Sequence, residues 1–188
     1  MRIVGGEWAG VSLVSPGRRV RPTPEALRGA WMTWLREELQ GARILDLFAG
    51  TGALGLEALS RGAVTVDFVE MGAEALHALK ANRARLRVTR RTRLFKREVF
   101  GFLQGIEEEA YDLAFADPPY TSTAGERLAH LWLACPFAAI LSIEHARTVT
   151  LPAGGVRRVL EDSAVTIYRI RKRKAGGKEK GGETTCPT

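Results

Sequence analysis

The chain reads as an α/β protein: a doubly wound, mostly parallel sheet of about seven strands with helices on both faces and an N-terminal β-hairpin extension. Three observations predict this. Apolar runs of strand length alternate with stretches of helical periodicity through most of the 188 residues. One alternation, residues 42–62, is a strand that stops at a glycine-rich turn and resumes as a helix. The last two strand-like runs, residues 156–160 and 165–170, lie too close together for a helix between them, so they form a hairpin and not another parallel crossover.

Length and composition narrow the classes. A chain of 188 residues with 45% hydrophobic content is one domain with small additions and can bury a sizeable core. No charged-then-apolar leader follows Met1 and no apolar run reaches about 18 residues, so a cytoplasmic protein without membrane contact is expected. Cys135 and Cys186 stand far apart without His or Cys at metal spacing, which implies neither a disulfide framework nor a metal site. A net charge of +7 and a pI near 9.9 favour a polyanionic partner, and 22 arginines against 6 lysines add weak support.

In chain order, residues 1–22 form the hairpin: Ile3-Val4, a Gly5-Gly6 break, Trp8, then an apolar run from Val11 to Val14 before Pro16-Gly17. Arg2, Arg18, Arg19 and Arg21 decorate it. It is either a basic arm for nucleic acid or a cap on the sheet or a helix with solvated charges. Thr23-Pro24-Glu25 opens a helix by N-cap, first-turn proline and dipole-facing acid. Leu27, Trp31, Trp34 and Leu35 give that helix one apolar stripe, read as packing. Ile44, Leu45 and Leu47 make the first strand, and residues 53–60 the helix after the turn. Val64, Val66, Phe68 and Val69 make the second strand, closed by Glu70. A helix over residues 73–86 turns Ala75, Leu76 and Leu79 inward.

Residues 83–97 carry eight Lys or Arg and no acid. The third strand lies at residues 92–95, followed by Glu98-Val99 and the helical stripe of Phe100, Leu103 and Ile106. This segment is read as a phosphate-binding edge, the alternative being only a soluble helix exit and loop. The fourth strand, residues 111–116, runs straight into Asp117-Pro118-Pro119-Tyr120. A helix over residues 123–133 and a fifth strand over residues 138–144 precede the terminal hairpin. The main domain is expected over residues 23–171, with a disordered basic tail over residues 172–188.

Glycines let the turn's backbone approach a bound group closely, and the following helix start offers unpaired amides. Two cofactor classes use such a turn. Gly50-Thr51-Gly52-Ala53-Leu54-Gly55 matches the dinucleotide fingerprint, with Glu70 about 20 residues on. Asp46, at the end of a buried strand, favours the other class, because a pyrophosphate gains nothing from a carboxylate there. S-adenosyl-L-methionine carries an ammonium and a sulfonium, which suit the Asp46-x-Phe48-x-Gly50-x-Gly52 pattern better. Glu70, followed by Met71, is placed to accept ribose hydroxyls. Glu98 and Val99 are placed for adenine, the acid toward its amino group and the Val99 amide toward a ring nitrogen. A structural turn without ligand is the alternative.

Asp117 to Tyr120 carry a different chemistry. An exocyclic amine on a base is a poor nucleophile because its lone pair is delocalised into the ring. Asp117 and the Pro118 carbonyl can accept hydrogen bonds from that amine, aiming the lone pair and stabilising the charge that develops as a methyl group arrives. Pro119 fixes the backbone, and Tyr120 offers a face on which an extruded base stacks. Cys135, at a helix exit, is read as packing and not as a nucleophile for carbon methylation.

The Arg2-Ile3-Val4-Gly5-Gly6 segment with Gly10, Arg21-Pro22-Thr23 with Arg28, and the run from Leu47 through Gly50-Thr51-Gly52 to Ala63 resemble the bacterial RsmD family of Rossmann-like class I methyltransferases. That family methylates the N2 amine of a guanine in 16S ribosomal RNA. The resemblance implies that Asp117, Pro118, Pro119 and Tyr120 form the amine site. It implies that Asp46, Phe48, Gly50, Gly52, Glu70, Met71, Glu98 and Val99 contact S-adenosyl-L-methionine. It further implies that the hairpin, with Arg2, Arg18, Arg19, Arg21, Thr23 and Arg28, grips 16S rRNA or a small-subunit assembly intermediate. Glu98 departs from the family's usual Asp. Competing readings are an adenine-N6 methyltransferase, an NAD-dependent oxidoreductase, for which His145 is the candidate proton donor, and an idle RNA-binding module.

Overall fold

The computed structural model describes residues 1–15 and 24–170. Five strands run parallel: β1 (Arg43–Leu47), β2 (Thr65–Glu70), β3 (Thr92–Lys96), β4 (Tyr111–Ala116) and β5 (Ala138–Ala146). Two more, β6 (Val156–Leu160) and β7 (Ser163–Arg169), close the sheet as an antiparallel hairpin. The order across the seven-stranded sheet is β3-β2-β1-β4-β5-β7-β6. The hairpin inserts its second strand next to β5, so β7 is antiparallel both to β6, as the hairpin predicts, and to β5.

Side-chain alternation divides the core into two layers. Ile44, Val66, Phe68, Leu113 and Phe115 face a layer formed by helices α1 (Glu25–Trp34), α2 (Arg36–Leu39), α3 (Ala53–Ser60) and α4 (Ala73–Arg85). Leu45, Leu47, Val69, Ala114 and Ala116 face the other, formed by α5 (Val99–Leu103) and α6 (Ala124–Ala134). Central strands covered on both faces are apolar throughout, which is why β1 and β4 appear in the sequence as near-continuous hydrophobic runs. Trp31 and Leu35 are fully buried and Trp34 is partly buried against the same layer, as the helical stripe predicts.

The chain winds from β1 outward through β2 to β3, then returns to place β4 on the other side of β1. At that reversal the loops leaving β1 and β4 turn to opposite faces, so a crevice opens at the carboxyl ends of these two strands. This is the point that the fold, by topology alone, prepares for a ligand.

Residues 1–15 pair as expected but do not project. A single bridge joins Arg2 to Ser12, and Ile3 donates to the Val11 carbonyl at 3.0 Å. Ile3 and Leu13 are buried in the first core layer. The Val4 and Gly5 amides both donate to the Glu57 carboxylate at 2.7 Å, and Glu7 N–H donates to the Ser60 carbonyl at 2.7 Å. The segment is therefore a cap on α3, the second of its two sequence readings. A carboxylate in α3 takes up amides that a free hairpin would have to pair or leave in water. Cys135, expected as packing, is buried. Cys186, the tail and Arg18, Arg19, Arg21 and Thr23 lie outside the described residues.

Candidate active site

Leu47 of β1 pairs in register with Ala116 of β4. The next residues of these parallel neighbours are Phe48 and Asp117, so register alone sets the glycine turn beside the Asp-Pro-Pro-Tyr loop. The turn is held in an unusual shape. Phe48, Gly50 and Gly52 have φ of 56°, 55° and 78°. For a bulky residue such as Phe48 a left-handed backbone costs about 1–3 kcal/mol, and it persists where the surroundings dictate it. Here they do: Ala49 N–H donates to the Val69 carbonyl at 3.1 Å, and Gly52 N–H to the Ala49 carbonyl at 2.7 Å. Gly55 allows the close approach of α3 to the sheet, since a Cβ there would stand 2.5 Å from Phe68 Cε1 and 2.7 Å from Val66 Cγ1.

Three acids at strand ends are tied to backbone amides. Asp46 is buried and accepts from Gly55 N–H at 2.9 Å. Burial pushes its carboxyl well above the usual range; the Gly55 amide opposes this, and the negative charges of Asp117 and Glu70 add to it. Asp46 thus fastens α3 to β1 from beneath the turn, and does not stand open to solvent as its expected cofactor contact suggested. Glu70 accepts from Gly50 N–H at 2.8 Å through one oxygen, and from Met71 and Gly72 N–H at 2.8 and 2.6 Å through the other. Half-buried Glu70 and exposed Met71 line the crevice mouth. Glu98 caps α5, accepting from Phe100 and Gly101 N–H at 3.0 and 2.7 Å, with Val99 buried as the first helical residue. Burial raises the Glu98 carboxyl, but the Phe100, Gly101 and Val99 amides and the Arg127 guanidinium lower it further, so the net direction is down.

In the loop after β4, Asp117 is half-buried, Pro118 is buried and Pro119 is exposed. Ser122 holds the Pro119 carbonyl through its N–H at 3.0 Å and its hydroxyl at 2.7 Å, which sets the turn. Tyr120 is 42% exposed, yet its hydroxyl is anchored: it donates to Glu144 Oε1 and lies 2.7 Å from Ser163 Oγ. The ring is a fixed wall with one edge in solvent. Beside it lies a cavity of about 180 Å³ lined by Pro118, Pro119, Tyr120, Glu144, Ala146 and Leu151 among others. Burial, with the Glu144 bond, pushes the Tyr120 hydroxyl up to about 12.

Glu144 and Ser163 were missed in the sequence. The signal for Glu144 was an acid closing the apolar run of β5, the same sign that identified Glu70, Glu98 and Asp117. His145 carries no proton into the crevice: its Nδ1 lies 3.0 Å from the Ala146 carbonyl and its Nε2 2.8 Å from Thr166 Oγ1. His77 and His130 are exposed on α4 and α6.

The expected RNA residues divide. Arg2 is exposed, although its N–H and guanidinium bind Glu25 at 2.9 and 3.2 Å. Arg28 does not face RNA at all. It is fully buried, with Nε 3.5 Å from Glu57 Oε2 and Nη2 donating to the Arg2 carbonyl, because Glu57 needs a cation where the cap meets α3. In the basic segment, Arg83, Arg91 and Arg93 bind Thr92, the Ala63 carbonyl and Asp67 respectively. Exposed Arg85, Arg87, Arg90, Lys96 and Arg97 are what its surface offers a polyanion.

A glycine turn at the reversal point of a parallel sheet serves many nucleotide binders. Ending the adjacent strand in Asp-Pro-Pro-Tyr is what narrows the class to methyltransferases of the Rossmann-like class I fold. Similarity to known proteins agrees. The family described as "Conserved hypothetical protein 95" matches residues 1–168. The chain is 32% identical to the ribosomal RNA small subunit methyltransferase D of Escherichia coli K12, over 94% of this chain and 92% of the other. A solved protein of Thermus thermophilus superposes with a TM-score of 0.78 at 34% identity, covering 90% of this chain and 99% of that one. The Escherichia coli protein yhhF superposes at 0.76 with 31% identity, over 90% and 97%. The chain belongs to the RsmD family of methyltransferases.

Proposed function

We propose that this chain transfers a methyl group from S-adenosyl-L-methionine to the exocyclic N2 amine of a guanine in 16S ribosomal RNA, acting in the cytoplasm on the RNA or on an assembling small subunit. One observation supports this more than any other: the Leu47–Ala116 register, which sets the glycine turn and Asp117 side by side. A methyl donor and its acceptor must meet in one crevice, and these are the two elements suited to hold them.

The residues present fit the cofactor. The left-handed turn at Phe48, Gly50 and Gly52 and the start of α3 bring backbone N–H groups to the crevice. Glu70 and Glu98 keep acceptor capacity beyond the bonds they already make, since each carboxylate offers about four lone-pair sites. Glu70 would take the ribose, Glu98 and Val99 the adenine, with Met71 at the mouth. When bound, the cofactor supplies a methyl group made electrophilic by its sulfonium.

The chain's own groups then act on the amine. Asp117 and the Pro118 carbonyl accept its N–H bonds and hold the lone pair toward the methyl group. As the nitrogen gains positive charge, these two acceptors stabilise it more than they stabilised the neutral amine, which is where the rate gain arises. Asp117 is the group placed to take the proton the nitrogen loses. Tyr120 packs on the base and keeps water from it. Calorimetry tests the cofactor class: S-adenosyl-L-methionine should bind with a Kd in the micromolar range and NAD should give no heat. The reverse result would reject the reading.

A further inference from the structure

Asn82 is the one polar residue among the buried residues of α4, one turn after Leu79, and it is fully buried. Leu79 lies against the glycine turn, since a Cβ on Gly52 would meet its Cδ1. Asn82 reaches the same turn. Its Nδ2 donates to the Thr51 carbonyl at 3.0 Å and to the Val14 carbonyl at 3.0 Å, while its Oδ1 accepts from Val14 N–H at 2.7 Å. Two carbonyls and one N–H decide which end of the amide faces which, and both of its donors are used. One side chain thus joins α4, the N-terminal cap and the middle of the Gly50-Thr51-Gly52 turn. A weaker tie runs the same way. The Thr51 hydroxyl lies 3.9 Å from Met1 Sδ, and the Met1 carbonyl is held by Leu13 N–H at 3.0 Å.

The peptide between Thr51 and Gly52 is a rigid plane with the Thr51 carbonyl on one side and the Gly52 N–H on the other. Asn82 holds the carbonyl, and the Ala49 carbonyl holds the N–H at 2.7 Å. Gly52 has φ of 78°, and a glycine has many other conformations open to it. Without the Asn82 donor the Thr51 carbonyl would lose its buried partner, and rotation of this plane would relieve that cost. Such a rotation reverses one donor and one acceptor in the loop assigned to the cofactor.

We propose that Asn82 is a positioning residue for cofactor binding: its amide braces the Thr51–Gly52 peptide against the cap, so that residues 1–14 help to hold the turn in the shape that takes the methyl donor. The inference rests on the proposed use of that turn by S-adenosyl-L-methionine, but the bracing can be measured without the cofactor.

The test compares wild type, Asn82→Ala, Asn82→Asp and Ser60→Ala. Alanine removes all three bonds. Aspartate keeps the shape and the acceptor for Val14 N–H, but as a carboxylate it has no donor for the two carbonyls. Ser60 anchors another part of the cap, accepting from Trp8 N–H at 2.9 Å and donating to the Gly5 carbonyl at 2.6 Å. Ser60→Ala therefore loosens the cap without removing a bond to Thr51. Both Asn82 variants should raise the KM for S-adenosyl-L-methionine about tenfold or more, with kcat at saturating cofactor within about twofold of wild type. Ser60→Ala should lower the thermal midpoint and leave that KM as in wild type. In hydrogen exchange of the cofactor-free proteins, both Asn82 variants should exchange faster than wild type over residues 11–14 and 49–53, and Ser60→Ala should match wild type over residues 49–53.

Three results would overturn the inference: a wild-type KM in either Asn82 variant, an equal rise of KM in Ser60→Ala, or unchanged exchange over residues 49–53 in the Asn82 variants. If Asn82→Ala does not fold, Asn82→Asp carries the comparison. If wild type binds no S-adenosyl-L-methionine, the proposed function fails, and the exchange comparison still decides whether Asn82 braces the turn.

Discussion

Replacing Asp117 by Ala removes the acceptor for the target amine and leaves the glycine turn, Glu70 and Glu98 in place. Turnover should fall by roughly 10²-fold or more, with the cofactor Kd within about twofold of wild type. An equal loss in both, measured by single-turnover transfer and calorimetry, would move Asp117 into the cofactor's own site. Gly55→Ala tests the turn differently. The added Cβ would meet Phe68 and Val66, and overpacking of this kind costs about 1–3 kcal/mol, to be read from urea unfolding. Asp46, Glu70, Glu98 and Asp117 were legible because each ends an apolar run, and strand ends on one edge of a parallel sheet converge. Glu144 ends such a run as well, but its meaning depends on Tyr120 and Ser163, which reach it from 24 and 19 positions away in the chain. Arg28 was misread for the same reason. An arginine on a helix near a basic hairpin looks like a surface cation until Glu57, 29 residues on, is seen to bury with it.

At the scale of elements, α3 is the piece on which the others are assembled. Each of its residues from Ala53 to Ser60 is buried, between the sheet on one side and residues 1–15 on the other. Glu57 is its centre: fully buried, it accepts the Val4 and Gly5 amides and pairs with Arg28 and Arg61. Removing one partner of a buried pair leaves an uncompensated charge, at a cost of about 3–5 kcal/mol. Glu57→Gln should lose stability of that order in denaturant unfolding, with early protease cleavage within the first 15 residues as the cap detaches. Stability within about 1 kcal/mol of wild type would reduce the cap to a passenger. The strands and helices were readable from local periodicity, and the terminal hairpin from spacing. The docking of the cap was not, since its amides bond to a side chain more than 50 residues distant.

For the whole molecule, the net charge of +7 overstates the surface available to RNA. Arg28 is buried, and Arg83, Arg91 and Arg93 serve the fold. Lys96 and Arg97 are exposed beside Glu98, at the carboxyl edge of the sheet where the crevice opens. Exchanging both for Ala should weaken RNA binding and lower the slope of log K against log salt by roughly 1 to 2, since each lost phosphate contact removes about one released counterion. An unchanged slope would place the RNA elsewhere. The most direct test of the account is the identity of the methylated product. The chain should be incubated with labelled S-adenosyl-L-methionine and small subunits from a strain that lacks it, and the nuclease digest resolved by mass spectrometry. The account predicts label in a single N2-methylguanosine, lost in Asp117→Ala; label in N6-methyladenosine, or none in the RNA, would contradict it.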